Sequence, residues 1–398
     1  MESREAGFER GYDVGVLRKL DAVSRDPNAI DQIESKVRLG GSKSRMRSAL
    51  HDVMAGDGAS FGEYCGVETA AHFKAGEEAE FRAITTAAGV YDLSWRAKIA
   101  VTGEDRVRWM NGMVTNNIRD LKPGFGNYNF LLNAKGRILG DLYVYNRGDS
   151  LWIDTEQSQT AELLKTLEHF IIMDDVELRE ISEQISALAV QGPEAKRVLA
   201  GVGIEVPQLE PMQFAEMEWS GAGITVTPME SAEFATYEIW GSAATLSQLW
   251  NALIAAGAQP VGTRALEMFR VMSGVPKYGV DIRDSDLPQE TKQEHALDFT
   301  KGCYIGQEIV ERIRSRGAVH RMFTGFMVAE GAPERGTKLV AGGTEVGTIT
   351  SVERVPTRDV GTRRLALGYI RREALERGDE ITFAGGRVTP HPLPFAFE

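Results

Sequence analysis

The chain has 398 residues, of which 42% are apolar, 8% aromatic and 26% charged; this excludes a disordered or collagen-like polypeptide and provides apolar mass for about two or three domains. Lys plus Arg number 45 against 57 Asp plus Glu, and the resulting net charge of −12 disfavours non-specific attraction to nucleic-acid phosphates or anionic lipid. No run approaches the roughly 18 apolar residues of a membrane span, and the opening MESREAGFERGYD lacks the apolar core of a secretory signal, so a cytoplasmic protein is expected, with no membrane association and no direct nucleic-acid binding.

Residues 1–45 read as a polar N-terminal extension ending in the linker-like Gly40-Gly41-Ser42-Lys43-Ser44, with Met46 an alternative natural start. Residues 46–310 read as an α+β region. It begins with a strand at Lys98–Val101 and a helix at Glu104–Val114, whose Val107, Met110, Met113 and Val114 share one face. Strands at Tyr128–Leu132 and Ile138–Tyr145 are joined by a turn through Gly136, and a third strand follows at Leu151–Thr155. A helix at Gln159–Phe170, strands at Val176–Ile181 and Ser186–Val190, and a helix opened by Pro193 come next. A second set comprises a strand at Thr236–Trp240 and helices at Ala243–Ala256 and Thr263–Ser273, the last stopped by Gly274. Residues 320–395 change texture, with short strand-like runs at Phe323–Val328, Lys338–Val340, Glu345–Val352, Arg364–Ile370 and Glu380–Phe383, the pattern of a small antiparallel barrel.

Phosphate-binding GxxxxGK[ST], GxGxxG after a strand and HExxH are all absent. Arg147-Gly148-Asp149 reads as a hairpin turn rather than an adhesion signal, and the six histidines are dispersed. The two cysteines, Cys65 and Cys303, have no partners at metal-ligand spacing, so neither a disulfide framework nor a metal site is encoded. Lys301-Gly302-Cys303-Tyr304-Ile305-Gly306-Gln307-Glu308 stands out. Its two glycines permit close backbone approach around a thiol, just ahead of an amphipathic stretch through Ile305, Ile309, Val310 and Ile313. The bland reading is a structural turn. The chemical one has Lys301 lowering the thiol pKa, beside a cationic rim in which Arg312, Arg314, Arg316 and Arg321 outnumber Glu308 and Glu311.

At this octapeptide the chain resembles the YgfZ-type folate-binding family, whose members support iron–sulfur proteins, within the wider superfamily of the glycine-cleavage T-protein (aminomethyltransferase). The resemblance extends to Gly89-Val90-Tyr91-Asp92-Leu93-Ser94, Val114-Thr115-Asn116-Asn117-Ile118, Leu132-Asn133-Ala134-Lys135-Gly136-Arg137, Tyr237-Glu238-Ile239, Gly279-Val280-Asp281-Ile282 and Leu287-Pro288-Gln289-Glu290-Thr291, in the family's order. It implies two interlocked α+β units plus a C-terminal antiparallel β-barrel, arranged around an opening where tetrahydrofolate sits. It further implies cofactor-binding roles for Glu238, Arg270, Tyr128 and Asn117, with Cys303 and Lys301 as the reactive pair. A carboxylate at 238 suits the pterin because its two oxygens accept from the adjacent N–H donors of the ring's guanidine-like edge; without the resemblance it is a polar strand residue. Arg270 is the matching candidate for the folate carboxylates.

Two functions follow from the resemblance. The leading one is a folate-binding protein whose partners are client iron–sulfur proteins, including tRNA-modifying enzymes; the alternative is a tetrahydrofolate-dependent aminomethyl or methyl transferase. Residue 117 separates them, since T-proteins carry an aspartate there and the amide of Asn117 is no proton acceptor. Asn117 is also readable as a plain turn residue.

Overall fold

The computed structural model describes residues 46–229, 234–317, 319–359 and 361–396. The extension expected at 1–45 lies outside the described residues.

The chain enters as β1 (Met46–Arg47) and α1 (His51–Gly56), then forms a hairpin of β2 (Ser60–Tyr64) and β3 (Val67–His72) in a small sheet of order β1-β3-β2. Cys65 and Gly66 make its tight turn, both at positive φ (50° and 86°). Helix α2 (Glu77–Thr86) buries Phe81 and Ile84 and leads into β4 (Gly89–Asp92).

β5 (Arg96–Thr102), α3 (Arg106–Met113), β6 (Phe125–Leu132), β7 (Ile138–Asn146), β8 (Leu151–Glu156), α4 (Gln157–His169) and β9 (Glu177–Glu180) build a five-stranded sheet of order β6-β7-β8-β5-β9. Its helix-covered face is apolar: Ile99, Val101, Leu142, Val144 and Ile153 pack against Met110, Leu163 and Leu167. The Arg147-Gly148-Asp149 turn joins β7 and β8, and Arg147 pairs with Glu216 while lying 4.0 Å over the Trp152 ring.

β10 (Ser186–Gln191), α5 (Ala195–Gly201), β11 (Ala215–Trp219), β12 (Ala222–Pro228), β13 (Thr236–Gly241), α6 (Ala243–Ala255) and β14 (Gln259–Pro260) complete a six-stranded sheet of order β11-β12-β13-β10-β4-β14. Strand alternation sends Leu188, Val190 and Ile239 to the face under Leu249 and Trp250 of α6, and Ala187 and Ala189 to the opposite face, with Trp240 and Tyr145. Small side chains on that inner face leave room between the two sheets.

Helix α7 (Thr263–Ser273) ends at Gly274 in the left-handed region, matching the expected span, and α8 (Gln307–Arg316) carries the amphipathic stretch after the cysteine loop. The barrel then closes through β15 (Arg321–Glu330), β16 (Lys338–Ala341), β17 (Thr344–Pro356), β18 (Thr362–Arg371), α9 (Arg372–Arg377), β19 (Ile381–Phe383) and β20 (Gly386–His391), in the order β15-β18-β17-β16-β19-β20. The barrel strand that sequence reading omits is β20; Pro390 inside it argues against a strand on pattern alone, yet it sits opposite Phe326 of β15.

The expected cationic rim is largely neutralised. Arg312 pairs with Glu308, Arg314 with Glu311, and Arg321 with both Asp286 (2.7 Å) and Glu290 (3.0 Å). Acids three or four residues away on the same helix, or folded in from residues 286–290, consume the charge that a linear count leaves free.

Candidate functional site

Between the inner faces of the two sheets, beneath α7 and the C-terminal segment, lies a cavity of about 640 Å³. Its wall combines aromatic rings (Tyr64, Tyr91, Trp95, Tyr128, Tyr143, Phe269) with Arg96, Asp141, Glu156, Gln191, Glu238, Arg270, Lys277 and His295. Tyr128 packs 5.0 Å from Tyr143 and 5.3 Å from His295, and its hydroxyl donates to Asp141 at 2.7 Å. Volume and lining suit a drug-sized ligand held by apolar contact and a few polar groups.

Buried charges support the floor. Lys98, fully buried, donates to Asp154 at 2.7 Å, and Arg96 Nε binds the other oxygen of Asp154 at 2.7 Å. The pairing follows from register, because Lys98 and Asp154 face each other across β5 and β8. Glu238 sits alongside, 6% exposed, with one oxygen accepting from Trp240 Nε1 at 3.1 Å. Burial raises its carboxyl pKa and Asp154 adds to this, while Arg96, Lys98 and the Trp240 hydrogen bond oppose the shift.

Glu156 closes another part of the wall. Burial pushes its carboxyl up and nearby Asp141 pushes further; Lys277, Arg96 and a hydrogen bond with Cys65 pull it back. Cys65 is thus tied to the cavity wall, and burial, followed by Glu156, raises its thiol.

Of the residues singled out from sequence, Glu238, Arg270 and Tyr128 come together on this wall. The five guanidinium donors of Arg270 are already occupied by Glu267, Asp281, Ser351 and the Val275 carbonyl. Asn117 and Lys301 lie in a second cluster, around the Asp298 carboxylate, that is not part of the wall, and Cys303 is not on the wall either. There Asn117 Nδ2 donates to Asp120 at 2.8 Å, and Lys301 Nζ donates to the Val114 carbonyl at 2.7 Å and to the Asn116 carbonyl. The ammonium is directed at backbone carbonyls and, chiefly through burial, its pKa falls to about 7. Cys303 is an exposed free thiol. Asn116 links the clusters by donating to the backbone carbonyls of Tyr128 and His295, whose rings meet at a tilt of 30° on the cavity side.

Sequence reading missed Gln191, Tyr91, Arg96, Lys98, Asp154, Asp141 and Glu156. A signal existed for two of them: Lys98 within Ala97-Lys98-Ile99-Ala100-Val101 and Asp154 within Leu151-Trp152-Ile153-Asp154 are isolated charges in apolar strands, and buried charges are paired.

Two α+β sheets enclosing a cavity floored by a buried carboxylate, with a barrel docked beside them, define a class of fold already represented among known proteins. Residues 50–301 match the model of the GCVT N-terminal domain, and the chain belongs to that family. An aminomethyltransferase of Geobacillus kaustophilus is 29% identical over 360 residues, covering 88% of this chain and 98% of the relative. One from Picosynechococcus is 28% identical over 340 residues, covering 84% and 93% respectively. In fold, the chain matches the crystal structure of the glycine cleavage system aminomethyltransferase T from Bartonella henselae with a TM-score of 0.80 at 23% identity, over 89% of this chain and 98% of that one. Among the described residues no helix is long and apolar enough to cross a membrane.

Proposed function

We propose that the protein binds a reduced folate in the cavity between its sheets and acts as a folate-dependent one-carbon transferase of the aminomethyltransferase type. The observation that carries this reading is Glu238, a buried carboxylate on the wall of a cavity of about 640 Å³, fixed by Trp240 and, among the described residues, without a direct ion pair of its own. Such a group accepts from the paired N–H donors of a pterin edge, and the rings of Tyr128 and Tyr143 offer apolar surface to the rest of the molecule. Further support comes from the relatives, named aminomethyltransferases and matched over nearly their whole length.

Tetrahydrofolate, when bound, would supply the two nitrogens, one in the pterin ring and one outside it, that carry the one-carbon group. The chain's own residues do the rest: Glu238 orients the ring, the surrounding aromatic wall excludes water, and Glu156 adds a second carboxyl, its pKa raised by burial, to the cavity wall. Asn117 plays no acid–base part, and its amide is engaged by Asp120. The test is ligand-dependent melting. Tetrahydrofolate raises Tm, Glu238→Gln removes most of the shift, and the wild-type protein forms methylenetetrahydrofolate from an aminomethylated carrier protein. Absence of any shift at saturating ligand sinks the assignment.

A second reading, support of client iron–sulfur proteins, is favoured by one feature: Cys303 is exposed on a glycine-bracketed loop and free to meet another chain. A thiolate is a soft iron ligand, but one sulfur holds no cluster alone, so the client or a small thiol completes it. Under this reading Cys303→Ala abolishes support of a cluster-dependent enzyme while Tm is unchanged; undiminished client activity removes the thiol from the mechanism.

A further inference from the structure

Among the described residues, one buried polar group on the cavity wall has no protein partner. Gln191 is 1% exposed and contributes to the wall, and its Nε2 has no hydrogen-bond partner among the described residues. The other end of the amide is fixed, because Tyr91 donates its hydroxyl to Gln191 Oε1 at 2.9 Å. An amide whose oxygen is committed to a hydroxyl donor presents only N–H donors elsewhere, and a buried donor left unmatched is costly.

Register places this donor beside the carboxylate. Ala189 of β10 lies opposite Glu238 on one side and Tyr91 on the other, and Gln191 is two residues along the same strand, so Tyr91, Gln191 and Glu238 share the inner face. The wall therefore offers two acceptor oxygens next to one donor. The complementary ligand edge reads donor, donor, acceptor, which is the order of the amino group, the ring N–H and the ring carbonyl along one side of a pterin.

Resting on the folate reading above, we infer that Gln191, positioned by Tyr91, donates to the ring carbonyl beside the edge that Glu238 accepts, and so makes the site prefer an oxo-pteridine over its amino counterpart. An amino group at that ring position sets N–H against N–H and leaves Gln191 unmatched. A site built to hydrogen-bond one group rejects the analogue that lacks it.

Folic acid and aminopterin are the probes: in aminopterin an amino group replaces that carbonyl and the neighbouring ring nitrogen loses its proton, so the edge facing Glu238 changes with it. Calorimetric titration of the full chain is expected to give about tenfold tighter binding of folic acid, the scale of one buried hydrogen bond. Gln191→Met, close in volume but with no donor, lowers the ratio; Gln191→Glu, which accepts from an amino group, lowers it further or reverses it. Tyr91→Phe lowers it part of the way by freeing the amide to turn. Glu238→Gln weakens both ligands. If Gln191→Met and Gln191→Glu bind both ligands with the wild-type ratio, the role of Gln191 is overturned while the folate site stands. If the wild-type protein binds neither probe nor tetrahydrofolate, the folate reading fails and takes this inference with it. Melting of the unliganded variants, expected near the wild-type Tm, separates loss of preference from loss of fold.

Discussion

Asp154 shows how much a single side chain carries at the cavity floor. It is 1% exposed and binds both Lys98 and Arg96. Asp154→Asn removes the carboxylate that Lys98 and Arg96 both bind, and removing one partner from a buried ion pair costs about 3–5 kcal/mol. Urea unfolding measures this, and a loss under ~1 kcal/mol contradicts the pairing. Lys301 gives a pH-dependent counterpart. Its folded pKa of about 7 lies below the usual lysine value, so across the window from there up to about pH 10 the unfolded chain binds more protons than the folded one. Stability from this group therefore rises with pH through that window, and below it the buried ammonium is a net cost. The stability of the wild type relative to Lys301→Met, compared by urea unfolding at about pH 6 and about pH 9, is expected to shift in favour of the wild type at the higher pH. A difference independent of pH is incompatible with the depressed pKa.

At the level of elements, two loops prominent in the sequence meet. Gly306, at φ 83°, approaches the 132–137 turn so closely that a Cβ there lies 2.6 Å from the Asn133 carbonyl and 3.2 Å from the Gly136 Cα. Gly136, at φ 70°, in turn admits Ile309 of α8, whose Cβ comes within 2.8 Å of an added methyl. Gly306 thus lets that loop lie backbone to backbone on a β-hairpin turn, whereas Gly302 meets no backbone closely, and Ile305 N donates to the Gly112 carbonyl of α3 at 3.2 Å. Gly306→Ala adds both a backbone clash and an unfavourable φ, and is expected to lower stability by more than about 1 kcal/mol in urea. If instead it is neutral in stability and changes only client support, the loop's glycine serves the thiol rather than the packing. The match of α7 to its expected limits has a local cause: an amphipathic run stopped by a glycine in the left-handed conformation needs nothing from elsewhere in the chain. β2, β3 and the short β14 lack such a signature, since alternation in Ser60–Tyr64 is weak and β14 exists only by pairing with β4.

On the scale of the whole molecule, the barrel and the α+β body are not separable by their packing. Phe323, Val355, Leu365, Leu367 and Tyr369 of the barrel join Met268, Val271 and Met272 of α7 in one buried cluster. Polar contacts cross the same boundary: Asp281 accepts from Ser351 at 2.8 Å and Arg270 donates to Ser351 at 2.9 Å. A shared core predicts a single cooperative transition. The six tryptophans all precede residue 263, so their fluorescence reports the body, whereas far-ultraviolet circular dichroism reports body and barrel together. Coincident urea midpoints are expected, and a barrel that melts first, seen as a circular dichroism transition ahead of fluorescence, contradicts the shared core.

By itself the amino-acid sequence determined the α+β character, the helices with strong periodicity and caps, the barrel-like texture after residue 320 and, through resemblance, the candidate roles of Glu238, Arg270 and Tyr128. Those signals are local or contiguous, set by side-chain period and backbone preference over a few residues. Tertiary structure alone decided that Gln191 stands beside Glu238, that Lys98 meets Asp154, that Arg270 is fully engaged by the protein, and that the Cys303 loop packs outside the cavity wall. Each of these depends on sheet register and on contacts between residues far apart in the chain, where a slip of one position would turn every side chain of a strand to its other face.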